Sequence, residues 1–178
     1  ICGSAASWMI QKIVNDRGGL HNRITKRVFL DPFTLSETET YLQSHNIFYD
    51  RYQIIQIYMA IGGIPHYLNE VKASKSATQS INGICFSKNG LLRDEFSRLY
   101  AALFANAENH IAAVRALAQS RQGLTRSTIV KNAGLADGGN TSKVLEELEQ
   151  SGFITSYYPF GKRKKDMLYR LTDEYSLF

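Results

Sequence analysis

Residues 61–68, with the sequence IGGIPHYL, constrain the possible folds of this chain more than any other stretch. An apolar run at helical spacing stops at Ile61, and the two glycines that follow can end a helix with a residue at positive φ. Pro65 can open a second helix, because the first helical position does not need the N–H group that proline lacks. The stretch therefore predicts a corner between two helices. Such corners serve as packing devices or, through the free N–H groups of the second helix, as sites for a nucleotide or another anion.

The sequence around this corner is helical in pattern from Ser36 to Phe104. Ser36 followed by Glu39 fits a capping box, and Asp50 can cap the helix that leads into the corner. The dipeptide Asn89-Gly90 marks a turn before the last amphipathic run of this segment. Together these signals predict a small all-α domain.

The last third of the chain has a different pattern, in which three short helices are followed by a hairpin. Thr125 can cap a helix that ends at Gly134, and Asn140 can cap the next one, over residues 141–151. Two extended segments then flank a turn at Gly161. This order of elements predicts a winged helix-turn-helix.

The first 34 residues read as α/β structure. Residues 1–4 fit the end of a strand, residues 5–14 a helix, and residues 26–30 a second extended segment. Two strand-like pieces around one helix make half of a βαβ unit whose partner strands are missing. We therefore expect the chain to be an internal piece of a longer protein.

Composition narrows the functional classes. The formal net charge of +5 and pI near 9.2 would suit a nucleic-acid partner, but the basic residues are spread out and cluster only at residues 162–165. Cys2 and Cys85 are far apart and have no metal-ligand spacing around them, so a structural zinc or a disulfide framework is not expected. No apolar run approaches about eighteen residues and no secretion-signal pattern opens the sequence, so we expect a cytoplasmic protein.

Several of these segments also resemble a known family. Gly63-Ile64-Pro65 at a helix corner resembles the adenine-side signature of the lid in signal-transduction P-loop ATPases, the STAND branch of the AAA+ class, and residues 64–68 are similar to its archaeal-type ATPase family. Residues 2–5 resemble the sensor-1 strand end of that family, and residues 19–23 resemble its arginine-bearing loop. Residues 168–175 resemble the junction where many members pass into a nuclease-like domain.

The resemblance implies a mainly α protein with three parts: a remnant of the α/β ATPase core at residues 1–34, a helical lid bundle at 35–105 and a winged helix domain at 106–178. It implies ATP and Mg²⁺ as cofactors of the full-length parent, and the missing N-terminal ATPase core as the main partner. A phosphate-binding loop and a strand ending in Mg²⁺-binding acidic residues are absent from the sequence. We therefore expect this piece neither to bind ATP tightly nor to hydrolyse it alone.

The same resemblance assigns roles to five residues. Gly63 and Pro65 would border the adenine, and His66 would contact a phosphate or the ribose, unless it is a surface histidine. Ser4 would hold the attacking water or a γ-phosphate oxygen as a catalytic residue, although it could equally cap the following helix. Arg23 would stabilise charge on the phosphates, although a single loop arginine can also be a solvated charge.

Winged helices often bind DNA, and this one carries both acidic residues that would oppose DNA binding and basic residues that would favour it. Three acidic residues in the second half of the candidate recognition helix, Glu146, Glu147 and Glu149, would repel phosphates. The residues best suited to contact nucleic acid lie at the start of that helix and in the basic hairpin turn: Thr141, Ser142, Lys143, Lys162, Arg163, Lys164 and Lys165. The alternatives are a protein-protein module or self-association through the same domain, and, for the whole chain, a DNA-binding transcription regulator with a helical dimerisation domain.

Overall fold

The structure is a computed structural model that describes Lys26, residues 28–162 and residues 166–178. It is mainly helical, as expected, with a small antiparallel sheet. The described part of the chain forms two compact units. The helical unit contains residues 30–98 and 174–178, and the mixed unit contains the described residues of 99–173 together with Lys26, Val28 and Phe29.

The helices and strands are numbered here in chain order. They are α1 (Leu35–Ser44), α2 (Arg51–Ile61), α3 (Pro65–Leu68), α4 (Ala77–Ile81, continued by a π-helical turn over Asn82–Phe86), α5 (Glu95–Leu103), α6 (Ala107–Ala118), β1 (Leu124–Thr125), α7 (Arg126–Ala133), α8 (Gly139–Gln150), β2 (Ile154–Tyr157), β3 (Leu168–Leu171) and α9 (Glu174–Leu177).

The helical unit is built around α2. Asp50 caps this helix as predicted, because its carboxylate accepts a hydrogen bond from the Gln53 N–H at 2.8 Å. Ile54, Ile57 and Ile61 lie on the buried side of α2 and are at most 4% exposed. Their spacing of three and four residues gives α2 one continuous apolar face, which forms the centre of the core.

Helix α1 begins earlier than the sequence predicted. The predicted capping box was Ser36 with Glu39, but Thr34 caps the helix and Glu37 completes the box. The Glu37 carboxylate accepts hydrogen bonds from both the N–H and the hydroxyl of Thr34, each at 2.8 Å. The pairs Thr34–Glu37 and Ser36–Glu39 both fit the capping pattern. The helix starts after Thr34 because a backbone hydrogen bond to Gly63 fixes the position of Phe33, the residue just before it.

This cap should make stability depend on acid pH. The hydrogen bonds from Thr34 lower the pKa of Glu37 below its ordinary value of 4.5. Because folding lowers this pKa, the stabilisation is present above about pH 4.5 and is lost as the pH falls through the lower, folded-state pKa. In the Glu37→Gln variant, the unfolding free energy should fall less steeply than in the wild type between about pH 5 and pH 2. Urea denaturation at several pH values measures this slope. Glu39→Gln, on the same helix, is the control and should leave the slope unchanged.

The mixed unit contains the predicted three helices and hairpin. Its sheet has the order β1-β3-β2, and the hairpin pairs Ile154 with Leu171 in antiparallel register. The sequence did not predict β1, a two-residue strand that pairs with β3. Thr125 caps α7 as predicted, since its side chain accepts from the Thr128 N–H, and Gly134 ends the helix at φ 64°.

The predicted cap of α8 was wrong. Asn140 was expected to precede the helix, but α8 starts at Gly139, and Gly138 is the cap residue, without a side-chain hydrogen bond. Asn140 therefore lies inside the first turn. The helix begins two residues earlier than predicted, at a point where the Gly138 carbonyl accepts a hydrogen bond from the Arg126 guanidinium at 2.9 Å.

The predicted domain boundary between residues 105 and 106 stays a prediction. The division into two compact units falls between Arg98 and Leu99, inside α5, and residues 174–178 belong to the helical unit. The physical reason lies in the aromatic side chains. Tyr100 packs on Phe153, with ring centroids 4.8 Å apart, so the second half of α5 is part of the core of the mixed unit.

No helix in the described part of the chain combines the length and the apolar composition that crossing a membrane would require.

Candidate functional site

The predicted corner is present between α2 and α3. Helix α2 ends at Ile61, and Gly62 follows with φ 66°, while its N–H donates to the Tyr58 carbonyl at 2.8 Å. Pro65 occupies the first turn of α3, after Ile64 in an extended conformation. The glycine and the proline thus have the local roles that their chemistry predicted.

Gly63 lies directly against another part of the backbone. Its carbonyl accepts a hydrogen bond from the Phe33 N–H at 2.8 Å. A β-carbon at Gly63 would lie 2.0 Å from the Phe33 carbonyl oxygen, which is far inside contact distance. This close approach of two backbone segments explains the glycine at this position without any ligand.

The outer side of the corner is accessible. Pro65 and His66 are exposed, whereas Tyr67 and Leu68 are 5% and 1% exposed and anchor α3 in the core. The arrangement presents the apolar ring of Pro65 to solvent on a fixed support. Its ring has no donor, so it suits contact with a flat, apolar surface such as a base.

The Gly62 side of the corner is acidic. The Glu174 carboxylate lies 3.5 Å from where a β-carbon on Gly62 would stand. Burial raises the pKa of the Tyr58 hydroxyl, and the negative charges of Glu174 and Glu37 raise it further. Negative charge here opposes a phosphate group and leaves a neutral ring as the more favourable ligand.

A shallow groove of about 320 Å³ runs along α1 close to this corner. It is lined by Phe33, Ser36, Glu37, Thr40, Tyr41 and Ser44. Phe33 also contacts the corner through Gly63, but the groove itself does not include Gly63, Pro65 or His66.

The two predicted catalytic residues, Ser4 and Arg23, lie outside the described residues. The same is true of Arg163, Lys164 and Lys165 in the basic turn. Their predicted roles stay predictions. Among the described residues, no group of three or more His, Cys, Asp or Glu side chains could hold a metal ion.

The structure separates the remaining nucleic-acid candidates. Thr141 is 2% exposed and its hydroxyl donates to the Ala136 carbonyl at 2.6 Å, so it faces the interior and is not available to a ligand. Ser142, Lys143 and Lys162 are exposed. The Lys143 ammonium lies 3.7 Å from the Glu147 carboxylate one turn further along α8.

Sequence reasoning missed the residue that fixes the turn between α7 and α8. The guanidinium of Arg126 contacts Asp137 Oδ1 at 2.6 Å, the Gly138 carbonyl at 2.9 Å and Ser142 Oγ at 3.2 Å. A planar group with several donors can hold three acceptors at once. No sequence pattern signals this arrangement, because the partners lie 11 to 16 residues from Arg126.

The acidic residues of α8 also have partners that the sequence did not reveal. Glu147 accepts from the buried His110 ring, with Nε2 and Oε2 2.9 Å apart. The Glu149 carboxylate accepts from the Ser156 N–H at 2.8 Å, and Glu146 accepts from the Gln150 side chain at 3.0 Å. Two of these three carboxylates therefore bind other parts of the mixed unit, which weakens the argument that they form a repulsive face.

No protein-family model matches the chain, and neither the curated proteins nor the solved structures include a significant match.

Proposed function

We propose that this chain is the lid and winged-helix portion of a STAND-type AAA+ ATPase. In this proposal it contributes to ATP binding and relays the nucleotide state, but does not hydrolyse ATP alone. The observation that carries the proposal is the corner between α2 and α3, where Pro65 is exposed on a support that Gly63 holds in place.

The chemistry of the corner suits the adenine end of the nucleotide. The Pro65 ring offers an apolar face, and the carboxylates near Gly62 disfavour phosphates on that side. In the proposed complex, Gly63 and Pro65 border the adenine and His66 contacts the ribose or a phosphate. Ser4 and Arg23 face the phosphates, and the ATPase core of the parent supplies the phosphate-binding loop and the Mg²⁺ ligands.

In this proposal the mixed unit is the winged-helix domain. Three helices, the short strand β1 and the β2–β3 hairpin follow one another in the order expected of that module. Closure of the lid on ATP would move this module, in the way that domain closure commonly transmits ligand binding.

Exposed apolar side chains on α2 and just before it form a stripe, which favours a large protein partner at this surface. Tyr52, Ile55 and Met59 are spaced to share one side of α2, Phe48 lies just before the helix, and the four side chains are 42% to 77% exposed. A lid must present apolar surface to the core on which it closes, and we assign this stripe to the missing ATPase core. A cytoplasmic location belongs to the same proposal.

The test begins with the coding sequence upstream of Ile1, which should encode a Gly-x-x-x-x-Gly-Lys-Ser/Thr loop. In that longer product, ATP with Mg²⁺ should slow hydrogen exchange at residues 62–68. Pro65→Ala should weaken ATP binding by about tenfold, the effect of losing one well-buried apolar contact. Pro159→Ala, in the mixed unit, is the matched control and should bind ATP normally.

Two results would contradict the proposal. One is a longer product without a phosphate-binding loop. The other is exchange at residues 62–68 that ATP leaves unchanged although ATP binds elsewhere.

One observation favours the alternative, a DNA-binding transcription regulator whose helical unit dimerises. Glu147 and Glu149 are engaged within the mixed unit, so the start of α8, with Ser142 and Lys143 exposed, is less acidic in effect than the sequence suggests. Titration with duplex DNA at about 50 and 200 mM salt separates the two functions. A regulator should bind tightly and discriminate between sequences at both concentrations, whereas a relay module should bind weakly and lose that binding at the higher salt.

A further inference from the structure

Residues 174–178, called the strap from here on, contact both sides of the corner. Glu174 lies beside Gly62, with its Oε2 3.5 Å from the position of a β-carbon there. The rings of Tyr175 and Tyr67 pack with their centroids 5.6 Å apart, and the Tyr175 hydroxyl donates to the Leu92 carbonyl at 3.0 Å. We propose that the strap is a detachable cover of the corner, through which the mixed unit controls how freely the corner opens.

The strap should open locally at a lower free-energy cost than the core residues that it covers. Its helix, α9, has a single turn and contains no fully buried residue, and Leu177 and Phe178 are 48% and 56% exposed. A helix this short is not stable by itself, and segments with little buried surface open locally at low cost. Tyr67 and Leu92, by contrast, are 5% and 3% exposed, so release of the strap would uncover core residues.

The chain connects the strap to the mixed unit without a linker. The N–H groups of Thr172 and Asp173 both donate to the Phe153 carbonyl, at 2.9 and 3.2 Å, and Glu174 follows at once in the helical unit. Neighbouring Cα atoms are about 3.8 Å apart and the backbone cannot stretch. The end of the mixed unit and the start of the strap are therefore joined by a single peptide bond, between Asp173 and Glu174.

An effect of strap release on nucleotide binding at the corner would rest on the proposed function, but the role of the strap as a cover does not. Its test uses the present chain without nucleotide, so the two ideas can fail separately. The measurement is hydrogen exchange of single amides by NMR under native conditions. The reporters are the amides of Gly62, Tyr67 and Leu68, which donate to the carbonyls of Tyr58 and Ile64, and that of Phe178, which donates to Glu174.

In the wild type, the Phe178 amide should exchange through local opening, at least about a hundredfold faster than the slowest amides of the helical unit. Tyr175→Ala should speed exchange at Gly62, Tyr67 and Leu68 by about tenfold or more. Tyr175→Phe, which removes only the hydroxyl, should speed it by about fivefold. Tyr52→Ala is the matched control, because Tyr52 is 70% exposed on α2, and it should leave these amides within twofold of wild type.

Control by the mixed unit is tested with Thr172→Pro, which removes the bonds from the Thr172 N–H and hydroxyl to the Phe153 carbonyl and leaves the bond from the Asp173 N–H. Faster exchange at Phe178 and Gly62 supports the connection, and changes confined to the mixed unit overturn it. Two results would overturn the proposal that the strap covers the corner. One is a Phe178 amide that exchanges only with global unfolding, and the other is a Gly62 amide that exchanges at the wild-type rate in Tyr175→Ala. If Tyr175→Ala unfolds the unit, Tyr175→Phe decides: a rise limited to the corner supports the cover, and a uniform rise or none overturns it.

Discussion

Replacing Gly63 with alanine should lower the unfolding free energy of the helical unit by about 3 kcal/mol or more, the largest effect of a single methyl group that we expect in this chain. The added β-carbon would stand 2.0 Å from the Phe33 carbonyl oxygen. Relief of that overlap must separate two backbone segments and break the hydrogen bond from the Phe33 N–H to the Gly63 carbonyl. Backbone atoms cannot move aside as a flexible side chain can.

Urea denaturation followed by circular dichroism measures this effect, and Gly139→Ala is its control. A β-carbon on Gly139 meets no atom within 4 Å, and the residue is helical, so alanine should be neutral or stabilise by up to about 1 kcal/mol. Equal unfolding free energies for Gly63→Ala and wild type would mean that the close approach to Phe33 does not hold the corner together. For the same reason, Gly63→Ala cannot test nucleotide binding, and that test uses Pro65.

The second large effect should come from Glu147→Ala, at about 1–3 kcal/mol. Its carboxylate is the partner of His110, which is 2% exposed and stacks on Phe104 with ring centroids 4.0 Å apart. The other ring nitrogen contacts the Asn106 carbonyl at 3.0 Å. Removal of the carboxylate leaves a buried nitrogen without a hydrogen bond, which costs its full desolvation.

Glu146→Ala is the matched control for this prediction, because it removes the neighbouring carboxylate of the same helix. Glu146 is exposed and its carboxylate accepts a hydrogen bond from the side chain of Gln150, so its removal should change the unfolding free energy by less than about 0.5 kcal/mol. A double-mutant cycle with His110→Ala isolates the pair. A coupling energy near zero would show that the contact between Glu147 and His110 does not contribute to stability.

Gly63 and Glu147 were both noticed in the sequence, but for roles other than the ones that their contacts in the structure give them. Gly63 was singled out as a border of the adenine, and its geometry gives it a packing role whether or not a nucleotide binds. Glu147 was counted as part of a face that repels DNA, and it serves the interior of the mixed unit. In both cases the residue type was visible in the sequence, but the group that it contacts was not.

The sequence by itself determined those features that depend on neighbours within about four residues. The Asp50 cap, the end of α2 at Gly62, Pro65 at the start of α3, and the α7 limits at Thr125 and Gly134 all follow from local backbone chemistry. The helix and hairpin order of the mixed unit follows from periodicity.

The tertiary structure alone decided what depends on residues far apart in the chain. It selected Thr34 rather than Ser36 as the cap of α1, turned Thr141 inward and returned the strap to the helical unit. Contacts of this long-range kind join Phe33 with Gly63, His110 with Glu147, 37 residues apart, and Leu92 with Tyr175, 83 residues apart. No local propensity encodes such pairs, because they form only when whole elements pack and each buried polar group must find a partner.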